Sequence, residues 1–166
     1  MNRLLLAAVA SPLLALGAVA TSASAAVLQE KNLPLTIASE IALEAVKVCA
    51  ADGYNVSVAV VDRGGTLRAF ARADNAGPHT VEAARKKAFT SLSARTPTSI
   101  MFENVQKNPA SAQLVAIDGF LVLGGGVPVK IGNETIGAVG IGGAPGGHLD
   151  EACAQKAIAK VADQLK

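Results

Sequence analysis

The chain has no tryptophan, one tyrosine and four phenylalanines, so its aromatic complement is Tyr54, Phe70, Phe89, Phe102 and Phe120. Nucleic-acid surfaces interleave basic residues with aromatics on which bases stack, and nothing here does so. An excess of one charge is also lacking. Fifteen Lys and Arg face thirteen Asp and Glu, and setting Arg3 aside leaves 14 against 13. No Gly-Lys pair followed by Ser or Thr opens a phosphate loop. A dinucleotide fingerprint begun at Gly140 meets Pro145 where its third glycine belongs. The Ser-His-Asp order, metal-spaced cysteine pairs and H-E-x-x-H are absent as well. Glu40 and Glu44 stand four apart in a helical stretch, so no E-x-x-E pair offers itself to an iron ion. These absences exclude nucleic-acid binding, nucleotide-driven chemistry and the common hydrolase mechanisms.

What is present starts with one long apolar run. Asn2-Arg3 precedes LLLAAVASPLLALGAVA, and Ala23-Ser24-Ala25 follows. A short basic region, an apolar stretch and a small-x-small site make a secretory signal peptide over 1–25, and Pro12 argues against a retained anchor. The expectation is a periplasmic or secreted protein with no membrane insertion of the mature chain. About 140 residues remain, enough for one domain over 26–166. In an exported chain Cys49 and Cys153 invite a disulfide, with two packed thiols as the alternative.

From Leu35 to Asp52 the apolar positions Ile37, Ile41, Ala45 and Val48 predict a helix, with Thr36 as its N-cap and Gly53 past its end. NVSVAVVD and TLRAFAR, joined through Asp62-Arg63-Gly64-Gly65, predict a hairpin. Thr80 to Ala94 returns to helical spacing, and Thr98 to Lys107 forms a second short helix. FLVLGG, VPVKI and ETIGAVGIG predict three strands, the last two meeting at Gly132-Asn133, and a final helix runs from His148 to Leu165. Hairpin-length connections favour an α+β arrangement with an antiparallel sheet. Gly137, Gly140 and Gly142 inside the last strand mark a bulge or close approach by another backbone or a ligand.

The blocks SVAVVDRGGTLRAFARAD, ARKKAFTSL, GGGVPVKIGNETIGAVGIGG and HLDEACAQKAI, in that order, resemble the GlcG/HbpS-like family, to which the C-terminal domain of PduO-type cobalamin adenosyltransferases is related. The resemblance implies a profilin-like or roadblock-like domain of the α/β (α+β) class. Its five-stranded antiparallel sheet carries packed helices, and the domain assembles into homo-oligomers. It also implies haem as cofactor, with members described as degrading it. In such a fold the first and last helices lie side by side, which would let Cys49 meet Cys153.

Haem iron takes His, Cys, Met or Tyr. Of the few candidates, His79 is best placed as iron ligand, because Ala83, Lys87 and Thr90 follow it on one helical stripe. Lys87 and the helix start would receive a propionate. Thr90 and Gly124, Gly125 and Gly126 complete the expected haem-binding set, the glycines thinning the sheet for a planar ligand or a neighbouring subunit. His148 has Asp150 and Glu151 nearby, which would repel propionates. Arg68, Arg72 and Asp74 suit either an anion site or a charged strand edge. Three functional readings follow: an exported haem or tetrapyrrole carrier, buffer or partner of a sensor or membrane protein; a haem-degrading enzyme; and a cofactor-free oligomeric interaction module.

Overall fold

A computed structural model describes residues 27–166; the expected signal peptide lies outside them. Helix α1 spans Leu35–Ala51, strand β1 Ser57–Asp62, β2 Leu67–Arg72, helix α2 Thr80–Ala94, α3 Thr98–Lys107, β3 Gly126–Ile131, β4 Glu134–Gly142 and α4 Gly147–Lys160. Short 3-10 helices cover Pro109–Ala116 and Ala162–Gln164. Pro34, not Thr36, stands at the N-cap of α1, and its carbonyl accepts from the Ala38 amide. A proline loses no donor there, since the first turn of a helix has amides to spare. The last helix stops at Lys160, five residues before the expected end, because the chain tightens into a 3-10 turn at Val161.

The sheet runs β2-β1-β4-β3 with every neighbour antiparallel. Gly132, at φ +57°, and Asn133 close the β3–β4 hairpin as a two-residue turn between the paired Ile131 and Glu134. Strand alternation then gives the sheet two unlike faces. Val58, Val60, Val127, Val129, Val139 and Ile141 point to one face, where they pack with Ile41 and Ala45 of α1 and Ala154 and Ala157 of α4. Ala59, Val61 and Ala138 point to the other, where Ala84, Ala88 and Leu92 of α2 meet them. Cys49 and Cys153 form a disulfide across α1 and α4, with Cα atoms 5.6 Å apart.

The sheet has four strands, a correction of the five expected. FLVLGG runs as a loop from Phe120 to β3. The Leu121 amide donates to Thr90 Oγ1 (2.8 Å) and the Gly126 amide to Thr98 Oγ1 (2.8 Å). Within FLVLGG the Leu121 amide is thus taken by Thr90 and the Gly125 amide by Glu151 Oε1 (3.3 Å), donors that a further strand would have used. The apolar run has strand-like composition but no ladder to join.

Candidate functional site

Helix α2 lies on a floor almost without side chains. Gly140 and Gly142 of β4 and Gly126 of β3 face it. A Cβ on Gly140 would collide with the Ala84 carbonyl and the Ala88 amide, and one on Gly126 with the Lys87 carbonyl. The close approach that glycine-rich strands advertise is therefore made by the chain's own helix. Gly124 packs in the same way against Gly147 at the start of α4, where an added Cβ would come within 3.2 Å of backbone. Gly125, at φ +125°, has its Cβ position 2.7 Å from Lys87 Nζ and 2.6 Å from the Ile141 carbonyl oxygen.

Lys87 is 3% exposed. From α2 its ammonium passes the end of β3 to donate to Asp150 Oδ2 of α4 (2.8 Å) and to the Ile141 carbonyl (2.9 Å). Burial pushes the Asp150 carboxyl above its ordinary range, opposed by the Lys87 charge and by the Ala144 amide on its other oxygen. Glu151 accepts from the Ser99 amide and hydroxyl and from the Gly125 amide. Three sequence expectations are corrected here. Lys87 is not a free cation beside His79, Asp150 and Glu151 are turned inward instead of repelling anions near His148, and Gly124, Gly125 and Gly126 are filled from both sides by this chain. Thr90 is buried too, its hydroxyl between the Lys86 carbonyl and the Leu121 amide.

His79 is different. It is exposed at the N-cap of α2, and its side chain caps nothing. Its ring lies over Gly77, where an added Cβ would sit 2.8 Å from Cε1 and 3.0 Å from Nδ1. His148, exposed in the first turn of α4, repeats the arrangement over Gly146, 2.7 Å from the corresponding Cβ position. Each imidazole is thus cradled by a glycine two positions earlier and keeps nitrogens for a ligand. Imidazole is a haem-iron donor, so the donor set fits the group that the sequence suggested.

The two histidines lie at one end of the sheet with the N-termini of α2 and α4, since Thr80 Oγ1 is 2.7 Å from Ser57 Oγ at the start of β1 and Gly147 abuts Gly124. Arg72 is at the same end, opposite Ser57, and donates to the Ala76 carbonyl. Arg68 pairs with Asp62 (2.8 Å), and Asp74 is exposed in the following loop.

At the opposite end a cleft of about 820 Å³ opens between the two hairpin turns and the end of α2. Its Arg63 is engaged by Glu134 (2.6 Å) and Glu30 (3.3 Å), and its Asp62 by the Gly64 and Thr66 amides as well as Arg68. No histidine lines it. Apart from Arg95, its charged side chains are paired with one another or with turn amides, so size alone does not make it a ligand site.

Sequence reasoning missed the Lys87–Asp150 pair and the Gly77 and Gly146 cradles. The second left a legible trace, the Gly-x-His spacing repeated at 77–79 and 146–148.

The model of the family described as "Haem degrading protein HbpS-like" matches residues 33–159, and the chain belongs to that family. Protein GlcG of Escherichia coli (strain K12) is 36% identical over 90 residues, 54% of this chain and 66% of that protein. The matched segment thus spans just under two thirds of that relative's length. A crystal structure of a double mutant of HbpS from Streptomyces reticuli superposes with a TM-score of 0.77 at 37% identity, covering 87% of this chain and 99% of the other. A crystal structure of a PduOC–haem complex superposes with a TM-score of 0.68 at 27% identity, over 76% and 93%.

Proposed function

We propose that this chain binds haem or a closely related tetrapyrrole through His79, and acts after export as a carrier, a buffer or the partner of a sensor, in homo-oligomeric form. One observation carries the assignment: the His79 imidazole lies exposed over Gly77 without a capping role, while Lys87, Asp150 and Glu151 near this sheet end are tied up internally. The family membership and the likeness to a protein crystallised with haem support the choice of ligand. When bound, haem iron supplies ligand exchange and one-electron chemistry; the chain's part is to hold and orient it.

Titration of the purified protein with hemin is expected to give a saturable, shifted Soret band. His79→Ala is expected to move that band and weaken binding, and His148→Ala, measured beside it, tests the second cradled imidazole. Identical spectra for the wild type and His79→Ala would remove His79 as the ligand. The family description favours a second reading, turnover of the bound haem. Bleaching of the Soret band on adding reductant or peroxide, at a rate lost in His79→Ala, would separate turnover from carriage.

A further inference from the structure

Helix α2 covers three strands and leaves the fourth bare. Its glycine and alanine contacts are with β1, β3 and β4, whereas edge strand β2 is backed only on its other side, where Ala69 and Ala71 join the α1–α4 core. Alternation therefore sends Phe70 and Arg72 out on the α2 side, opposite Ala59 and Ser57. Phe70 is 39% exposed. Among the described residues its ring has no aromatic partner, the ring pair being Phe89 with Phe120. Arg68, in the bulge where the β1 register shifts, holds Asp62 beside the same strip.

One side of the strip is walled by α2. Val81, Arg85, Ala88 and Leu92 share a helical flank, and Leu92 Cδ2 lies 3.6 Å from the Cβ position of Gly65, in the β1–β2 turn, which fixes that flank toward this hairpin. The end of the strip leads to His79. Arg72 reaches the Ala76 carbonyl, Gly77 follows, and the His79 ring lies over Gly77. A single stretch of loop backbone separates the guanidinium from the imidazole.

The geometry points to the bare face of β2 as the seat of the tetrapyrrole itself, with Phe70 as stacking platform and Arg72 as propionate partner. This rests on the haem reading and names the cation that Lys87 cannot supply. A guanidinium has five N–H donors, and the Ala76 carbonyl uses the donor capacity of one edge, leaving Arg72 able to meet a carboxylate; among the described residues it makes no salt bridge. A flat aromatic anion is the complement of an exposed ring beside a guanidinium.

The test compares hemin, iron-free protoporphyrin IX and hemin dimethyl ester on wild type, Phe70→Ser, Phe70→Leu and Arg72→Gln, each checked for an unchanged melting transition. Phe70→Ser and Arg72→Gln are expected to weaken hemin about tenfold each, and to weaken protoporphyrin IX comparably, because neither contact involves iron. Phe70→Leu keeps apolar contact but not the ring, and should fall between. The preference of wild type for hemin over its dimethyl ester should shrink in Arg72→Gln. His79→Ala, by contrast, should affect hemin and spare protoporphyrin IX. Wild type that binds hemin through His79 while Phe70→Ser and Arg72→Gln bind all three porphyrins unchanged would overturn the β2 seat and leave the haem reading standing. Wild type that binds no porphyrin would overturn both.

Discussion

The two faces of the sheet obey opposite packing rules. Against α1 and α4 the strands present valine and isoleucine, and cohesion comes from side-chain volume sealed by a disulfide. Against α2 the strands present glycine and alanine with Val61 beside them, and cohesion comes mainly from backbone lying close to backbone. Adjacent residues of β4 show the contrast: Val139 and Ile141 fill one layer while Gly140 and Gly142 make room in the other. A hydrophobic core can thus be made by what side chains occupy or by what they vacate, and the two kinds respond in opposite senses to the same change in size.

The largest expected effect falls on the voluminous face. Cys49 and Cys153 are 104 residues apart, and opening that loop removes about 4–5 kcal/mol in the chain-entropy model. Reduced protein is expected to melt lower by on the order of ten degrees. Mass spectrometry without reduction, run beside calorimetry, checks both, and two free thiols in protein purified without reductant would contradict the bridge.

Lys87 ties the faces together, and its loss comes next. Lys87→Met strands the Asp150 carboxylate in the interior, at a cost of about 3–5 kcal/mol. Burial already raises the Asp150 carboxyl, and without the ammonium it should titrate higher still. A raised carboxyl contributes stability that is complete below its unfolded value and lost as pH climbs through its folded value. The deficit of Lys87→Met should therefore be least in acid and grow with pH, while Lys87→Met/Asp150→Leu recovers most of it. Denaturant midpoints across a pH series measure this; a deficit that ignores pH would show the pair to be electrostatically idle.

The smallest effect tests the contrast most directly. Gly140→Ala adds one methyl where the Ala84 carbonyl and Ala88 amide already stand, and should cost about 1–3 kcal/mol or more by overpacking. Ile141→Val removes one methyl from the residue beside it, and should cost about 0.5–1.5 kcal/mol. If the two unfold alike, or if Gly140→Ala is neutral, the faces are not built by different rules.

Much of this architecture is legible in the residues. The apolar stripes of α1, α2 and α4 and the Gly132-Asn133 turn report local preferences, which the sequence states outright. The cysteine pairing follows once the first and last helices are neighbours. FLVLGG misleads because apolar β-like composition suits a half-buried loop as readily as a strand, and the Thr90 hydroxyl and Glu151 carboxylate that occupy two of its donors stand 31 and 26 residues away. Lys87 misleads for a deeper reason. A lysine two turns into an exposed helix defaults to solvent, and nothing local announces the aspartate 63 residues later that draws it inward. His79 stood out through scarcity, but the role of Gly77 under its ring needed coordinates.

The lysine that passes the end of β3 has a consequence for how the molecule comes apart. Its head is held in the layer of α4 and its root in the layer of α2, with Gly125 leaving just enough room for the shank. Neither layer can peel away while the other stays dry, because separation would strand a charge on each side. The molecule is riveted, and its two unlike cores are bound to open as one cooperative unit.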